Sequence, residues 1–148
     1  MEDHEKYEKL IRAFMQYKQL DWEKKSVDGY KPSEVRVLIC IEHEALQVNS
    51  ETKVSDISKI LKVTPPSITQ ILNKLEREGL VERRMDTNDR RVVLVKLTKE
   101  GKNIARKGKN NFIKMFHELH DYLGDEDSQE LARLLTRTFT FFSESKNL

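Results

Sequence analysis

The stretch "TPPSITQILNKLEREGLVERRMDTNDRRVVLVKL", from Thr64 to Leu97, decides the fold of this chain. Thr64 is a good helix N-cap and Pro65 suits a first helical turn, so a helix is predicted to begin here. Gly79 should end this helix, since glycine commonly lies just past a helix end. Two β-branched, alternating runs then flank the turn residues "MDTND", which predicts a β-hairpin. Three apolar residues of its second strand are expected to face the core: Val93, Val95 and Leu97.

The two faces of the predicted helix differ in chemistry. The inward row is apolar and consists of Ile68, Ile71, Leu72 and Leu75. The outward face carries hydroxyl, amide and basic side chains: Ser67, Thr69, Gln70, Asn73, Lys74 and Arg77. In a DNA major groove, small hydroxyls allow close approach, amides bond base edges, and Lys or Arg meets guanine or phosphate. Taken alone, this face is more typical of a solvated surface helix, and the hairpin that follows it favours the DNA-binding interpretation.

The preceding segment supplies a second helix and a tight turn. Ser55 is expected to cap a short helix over residues 56–61. Its inward residues would be Ile57, Ile60 and Leu61. About three residues then separate it from the helix that begins at Pro65, which describes a helix-turn-helix. Lys62 occupies the turn position, where it must adopt a left-handed conformation at a cost of roughly 1 kcal/mol unless the turn differs. Helix, turn, helix and hairpin in this order form a winged helix.

Positive charge is concentrated at this winged helix. From Lys74 to Lys109 there are 12 basic and 6 acidic residues, although the formal net charge of the whole chain is only +2. Arg90 and Arg91 lie at the predicted wing tip, where they would reach the minor groove beside the major groove occupied by the second helix. Asp89 is expected to fix Arg91 through a charge-assisted hydrogen bond. The alternative is a winged helix that serves as a protein-interaction module, with a solvated basic wing.

The stretch from Val54 to Gly101 resembles the MarR family of bacterial transcriptional regulators. The matching motifs are "LEREGLVERR", the Asp-x-Arg of Asp89 to Arg91, and "LTKEG". The resemblance implies an obligate homodimer that places one winged helix on each half of a palindromic operator, and an effector of low molecular weight that releases it as a repressor. It also implies that Arg91 enters the minor groove. The expected DNA-binding residues are Ser55, Thr64, Pro65, Pro66, Ser67, Thr69, Gln70, Asn73, Lys74, Arg77, Arg84, Asp89, Arg90 and Arg91.

The remaining sequence is helical in pattern. Amphipathic spacing predicts a helix over residues 3–25, an apolar central helix from Pro32 through "SEVRVLICIEHEAL", and two long helices separated by Gly124. The fold class is therefore mainly α with a small β-hairpin wing. Residues 32–101 are assigned to the winged helix, and residues 1–31 and 102–148 to a helical dimerisation region, because aromatic stripes at both ends need a partner surface. An intramolecular bundle of these helices is the alternative.

Effector contacts are predicted only by aromatic or polar character near the expected junction, at Tyr17, Trp22, Tyr30 and His43. Each of these residues is more typical of core or surface than of a ligand pocket.

No cofactor or metal is expected. His117, His120 and Asp121 lie within two helical turns of one another, but such short runs are typical of a solvated face. Cys40 lies in the apolar central helix and is expected to be a buried, inert thiol rather than a redox sensor.

The sequence contains no nucleophile elbow, zinc protease pair or dinucleotide fingerprint, so no enzyme activity is expected. The first thirty residues lack a signal-peptide pattern, and no apolar run approaches the roughly 20 residues of a membrane span. The expected location is the cytoplasm.

Overall fold

The computed structural model describes residues 2–20, 26–48 and 51–145. Contacts between residues divide the chain into two compact units, Met1–Arg106 and Lys107–Leu148. The elements in chain order are α1 (Glu2–Gln19), α2 (Pro32–Val48), β1 (Thr52–Lys53), α3 (Val54–Leu61), α4 (Pro65–Arg77), β2 (Val81–Met85), β3 (Val93–Leu97) and α5 (Lys99–Glu144). Within the described residues, no helix has the length and apolar character needed to cross a bilayer.

Helix α2 forms the centre of the first unit, as the sequence predicts. It begins at Pro32, whose fixed backbone angle suits a first helical turn. Val37, Leu38 and Ile41 are almost completely buried within it. Cys40 is buried beside them in the same core cluster.

Helix α3 begins earlier than expected and without the predicted cap. Lys53 occupies the N-cap position and makes no side-chain capping hydrogen bond, so Ser55 lies inside the first turn instead of capping it. Ile57 is buried, but Ile60 is 49% exposed, so its predicted inward orientation is wrong. The helix has only eight residues and turns a narrow apolar stripe toward the core. Lys62 ends it at φ 52° and ψ 45°, in the left-handed conformation that the sequence suggested.

Helix α4 has the predicted boundaries and the predicted buried row. The Thr64 side chain accepts a hydrogen bond from the Ser67 backbone at 3.4 Å, and Pro65 is the first helical residue. Gly79 adopts φ +76° just past the helix end, where a residue with a side chain would be strained. The inward residues Ile68, Leu72 and Leu75 are fully buried, and Ile71 packs against them.

The sheet has three strands, one more than predicted. Strands β2 and β3 form the expected antiparallel hairpin, with Arg83 opposite Val95. Strand β1 pairs with the other edge of β3, with Thr52 opposite Val95, which gives the order β1-β3-β2. Val95 is therefore central and fully buried, Leu97 is partly buried, and Val93 is 36% exposed. The outer position of Val93 departs from the expected core orientation because it lies at the wing end of the hairpin.

A compact corner joins the sheet to the start of α5. The Thr98 hydroxyl donates to the Gly79 carbonyl at 2.6 Å and accepts from the Gly101 backbone N–H at 3.1 Å. The Thr98 backbone N–H donates to the Leu80 carbonyl at 3.0 Å. Thr98 thus links the end of α4 to the first turn of α5, which contributes Ile104 to the core.

The second unit is the continuation of α5 from Lys107. Gly124 interrupts its helical backbone at φ 83° and ψ 170°, a conformation open only to glycine, which confirms the predicted break. Large apolar side chains of this unit are exposed, among them Ile113, Tyr122, Leu134, Leu135, Phe139 and Phe141. Helix α1 also has exposed apolar side chains: Tyr7, Leu10, Ile11 and Met15.

Candidate nucleic-acid interface

Most of the side-chain hydroxyl groups in the first turn of α4 form hydrogen bonds within the helix and its N-cap. The Thr64 hydroxyl donates to the Ser67 hydroxyl at 2.9 Å, and the Thr69 hydroxyl donates to the Pro65 carbonyl at 3.0 Å. These short bonds hold the hydroxyl groups close to the helix, which leaves room for a flat surface to approach. All of these residues are exposed, as are Pro66, Gln70 and Arg77.

Lys74 differs from the other residues of the predicted outer face, because its charge is used inside the fold. Its Nζ lies 2.9 Å from both carboxylate oxygens of Glu34, a residue of α2 that is only 3% exposed. The same Nζ lies 5.9 Å from the centre of the Tyr30 ring. Because a buried carboxylate without its partner is costly, this ion pair fixes α4 against the start of α2.

Arg83 of β2 anchors the other side of α4. One of its terminal nitrogens donates to Asn73 Oδ1 at 2.7 Å and to Glu76 Oε1 at 3.0 Å. Its Nε and backbone N–H donate to Glu76 Oε2 at 3.3 Å and 3.1 Å. These hydrogen bonds from Arg83 lower the pKa of Glu76, so the carboxylate stays charged at neutral pH. Arg83 is not among the site residues predicted from the sequence, because its contacts depend on the strand register.

The wing is a loop closed by its own aspartates. The Asp86 carboxylate accepts from the Asn88 backbone at 3.0 Å, and the Asp86 backbone N–H donates to the Val92 carbonyl at 2.9 Å. Asp89 Oδ1 accepts from the Arg91 backbone at 3.1 Å. Such aspartate-backbone bonds are typical of turns that must hold one shape.

Arg91 projects from this loop in a fixed orientation. Its Nε lies 3.1 Å from Asp89 Oδ1 and a terminal nitrogen lies 3.2 Å from Oδ2, a two-point contact that confirms the predicted pairing. The Arg91 side chain nevertheless remains 91% exposed. The hydrogen bonds from Arg91, with a smaller contribution from the charge of Lys53, lower the pKa of Asp89. The pair therefore presents an oriented guanidinium at the wing tip.

The other predicted residues differ in their contacts. Arg84 Nε lies 2.7 Å from Glu51 Oε2, which ties the back of the hairpin to the residue before β1. Arg90 is exposed at the wing tip beside Arg91, and Ser55 is exposed on α3.

The predicted effector residues differ in how far they are buried. Tyr17 is 58% exposed on α1, and His43 is exposed on α2. Tyr30 is partly buried against the core, and a hydrogen bond to Glu78, followed by burial, raises its pKa to about 12. Trp22 lies outside the described residues.

The two histidine candidates lie in exposed ion pairs, and Cys40 is buried. His120 Nε2 lies 2.9 Å from Asp125, and His117 Nδ1 lies 3.4 Å from Asp121, all on exposed side chains. No group of three or more His, Cys, Asp or Glu side chains suited to a metal ion occurs in residues 2–20, 26–48 and 51–145. Burial, followed by the nearby charge of Glu44, raises the pKa of Cys40 to about 11, so this thiol is protonated at neutral pH.

Sequence comparison identifies the fold described above. Residues 31–93 match the sequence model of the MarR family. The match spans α2 to the start of β3, so the winged helix of this chain is similar to the MarR family. Members of this family are transcriptional regulators and not enzymes.

The sequence match to a MarR family relative covers part of this chain, whereas the structural matches cover most of it. The homoprotocatechuate degradative operon repressor of Escherichia coli is 34% identical over 70 residues, which are 47% of this chain and 47% of that protein. The chain thus spans about half the length of this relative. The crystal structure of Streptococcus pneumoniae FabT in complex with DNA matches 98% of both chains at 26% identity and a TM-score of 0.68. A mutant MarR from E. coli complexed with operator DNA matches 89% of this chain and 92% of that one, at 28% identity and a TM-score of 0.65.

Proposed function

We propose that this protein is a homodimeric transcriptional regulator that binds double-stranded DNA in a sequence-specific manner. The observation that carries the proposal is the pairing, on one winged helix, of an exposed hydroxyl and amide face on α4 with the oriented guanidinium of Arg91 on the wing. Two MarR family relatives of similar fold have been crystallised with DNA, which supports the same partner for this chain.

Helix α4 is the element that suits the major groove. Gln70 and Asn73 are exposed amides one helical turn apart, and amides form hydrogen bonds with base edges. The hydroxyls of Thr64 and Thr69 are held against the helix, so the face is shallow enough for close approach. Arg77 is exposed at the end of the helix and is suited to a phosphate.

The wing suits the adjacent minor groove. Arg91 is held by Asp89 at two points, so less side-chain freedom is lost when the guanidinium enters the groove. The negative potential of a narrow minor groove attracts such an inserted cation. Arg84 and Arg90 add positive charge along the same hairpin.

A second copy of this chain is the proposed partner of the exposed apolar side chains on α1 and in the second unit. Monomeric proteins rarely expose so many large apolar residues in continuous helices. We assign residues 1–31 and 102–148 to this dimerisation region and residues 32–101 to the DNA-binding winged helix. Two-fold symmetry then requires a palindromic operator with one half for each winged helix.

We further propose that the regulator is a repressor released by a small-molecule effector. The repressor role is supported by the name of the E. coli relative. Tyr30 is the best placed of the effector candidates, because its ring lies beside Lys74 on α4. A ligand that displaced Tyr30 would therefore disturb the ion pair that fixes α4. Tyr17, Trp22 and His43 remain candidates without such a connection.

The two DNA-reading elements are expected to fail differently when altered. Gln70→Ala removes no charge, so it should reduce discrimination between operator and random DNA by roughly 1 to 3 kcal/mol and leave the salt dependence unchanged. Arg91→Ala should weaken binding to all sequences. It should also make the fall of log K with log salt less steep, by about two units of slope for a dimer, because one charge is lost from each subunit. The measurement is binding of each variant to an operator selected from random duplexes, and to a scrambled duplex, at several salt concentrations.

Unchanged affinity and slope in Arg91→Ala would mean that the wing is a solvated hairpin tip. Absence of any selected sequence in the wild type would instead favour the protein-interaction module. Dimerisation is tested separately by light scattering of the full chain at micromolar and lower concentration. A well-behaved monomer in that experiment contradicts the dimer proposal.

A further inference from the structure

Arg83 bonds to a side chain that the proposed function assigns to base recognition. Its terminal nitrogen donates to Asn73 Oδ1 at 2.7 Å, the shortest of its four contacts to α4. Asn73 is exposed, whereas the Arg83 side chain is only 21% exposed and is held by the Glu76 carboxylate. Arg83 is therefore fixed by the fold, and Asn73 is fixed by Arg83.

This contact determines which way round the Asn73 amide lies. A guanidinium group has only hydrogen-bond donors, so the amide must turn its oxygen, and not its nitrogen, toward Arg83. One of the two lone pairs of the Asn73 oxygen thus accepts a charge-assisted hydrogen bond, which orients the amide. Its Nδ2 makes no hydrogen bond to any other residue in the described parts of the chain. The Asn73 side chain consequently has two N–H donors available for a ligand.

The standard contact of asparagine with adenine needs both ends of the amide. The amide oxygen accepts from the adenine N6 amino group while the amide nitrogen donates to N7. In this structure Arg83 directs the amide oxygen toward β2, so the amide offers its N–H donors to a base, and adenine meets those donors with one acceptor, N7, while its N6 amino group finds none. Guanine presents N7 and O6 and thymine presents O4, all of which are acceptors.

Resting on the proposed DNA-binding function, we propose that Arg83 makes Asn73 a donor-only reader that selects guanine or thymine and disfavours adenine. Arg83 is the positioning residue, and Asn73 makes the base contact. Glu76 supports the arrangement because it accepts two hydrogen bonds from the Arg83 guanidinium and one from the Arg83 backbone N–H. The operator position that Asn73 reads should therefore carry guanine or thymine.

The test compares base preferences selected from random duplexes by the full chain. The variants are Asn73→Ala, Arg83→Met, and the two combined, with Arg84→Met as the matched control. Arg84 lies next to Arg83 on β2 and loses the same charge, but it contacts Glu51 and Met85 instead of α4. The position whose preference disappears in Asn73→Ala is the position that Asn73 reads.

At that position the wild type should prefer guanine or thymine. In Arg83→Met the relative affinity for adenine should rise about tenfold, because the freed amide can turn and form both hydrogen bonds. This gain should be absent from the double variant, where Asn73 is missing, and from Arg84→Met, which should weaken all sequences alike. A merely structural role of Arg83 would lower affinity without moving the preference at one position.

A second measurement needs only the wild-type protein and so does not depend on the folding of Arg83→Met. At the Asn73 position, adenine is replaced by purine, which keeps N7 and lacks the N6 amino group. Donor-only reading predicts that purine binds about fivefold more tightly than adenine, whereas a two-point adenine contact predicts weaker binding.

The proposal is overturned by a wild-type preference for adenine at this position, by weaker binding of purine than of adenine there, or by an unchanged preference in folded Arg83→Met. An Asn73→Ala variant with no altered position also overturns it. If the wild type selects no sequence at all, the DNA-binding function fails, and this inference fails with it. If the wild type selects an operator and only the Arg83 effects are missing, the function stands and this inference alone is wrong.

Discussion

Replacing Gly101 by alanine should destabilise this protein, although helix propensity predicts the opposite. Gly101 lies in the first turns of α5, where alanine is normally better than glycine by roughly 0.5–1 kcal/mol. A Cβ built on Gly101 would lie 2.0 Å from the Leu80 carbonyl oxygen and 3.0 Å from its carbon. Both neighbours are backbone atoms, so no side chain can rotate away.

The expected cost follows from what must move. The Leu80 oxygen already accepts from the Thr98 backbone N–H at 3.0 Å, and Gly101 itself donates to the Thr98 hydroxyl at 3.1 Å. Opening the 2.0 Å contact to an ordinary distance displaces one backbone segment by more than about 1 Å, a strain of about 3 kcal/mol on the scale of overpacked cores. After the gain in propensity, a net loss of about 2–2.5 kcal/mol remains, which lowers Tm by about 4–10 °C in a chain of this size.

The assay is urea unfolding followed by circular dichroism, at one protein concentration because a dimer's apparent stability depends on concentration. Lys102→Ala is the matched control, since Lys102 is the exposed neighbour in the same turn and should change the free energy of unfolding by less than about 0.5 kcal/mol. A Gly101→Ala variant as stable as the wild type, or more stable, would refute the steric reasoning.

Three further predictions concern individual contacts. Burial, and then the charge of Glu44, raise the pKa of the Cys40 thiol to about 11, so iodoacetamide at pH 8 should label it only when the protein unfolds. Rapid labelling of the folded protein would contradict the burial of Cys40. The Cys40→Ala variant should retain DNA binding in the presence of peroxide. Thr64→Ala should lower the free energy of unfolding by about 1 kcal/mol, with Thr64→Ser close to wild type, because the N-cap acceptor is lost. Arg83 lowers the pKa of Glu76 below its ordinary value of 4.5. The stability that the charged Glu76 carboxylate gives to the fold is therefore fully present above pH 4.5, and it is lost as the pH falls through the lower pKa of the folded state. The difference in the free energy of unfolding between the wild type and Arg83→Met, measured with urea, should therefore decrease below pH 4.5. A difference that stays constant with pH would show that the Glu76 charge does not contribute to it.

The helices of the winged helix were predictable because their signals are local. Thr64, Pro65 and Gly79 mark the two ends of α4 by backbone chemistry that acts within one turn. Strand β1 was missed because it has only two residues and is held by pairing with β3, more than 40 residues later in the chain. The capping role of Ser55 was wrong for a related reason, since the pairing of β1 precedes α3 directly and starts that helix at Val54.

The site was predictable to the level of a helix face but not to the level of single contacts. Helical periodicity correctly placed Lys74 and Asn73 away from the apolar row of α4. It could not indicate that α2 supplies a buried carboxylate to Lys74, because Glu34 lies 40 residues earlier in the chain. The wing pair of Asp89 and Arg91 was predictable because the two residues are only two positions apart.

The two unpredicted anchors together explain how α4 could present its face rigidly. Lys74 bonds to Glu34 on one side and Arg83 bonds to Glu76 on the other, so the helix is held by a buried pair and by a strand. Base recognition needs groups held by neighbouring elements, because a freely rotating amide would accept several bases with little discrimination. Both anchors use charged residues that a helical wheel would assign to DNA or solvent. The number of basic side chains on α4 therefore overstates the charge available to DNA, and the salt dependence of binding should reflect Arg77 and the wing arginines more than Lys74.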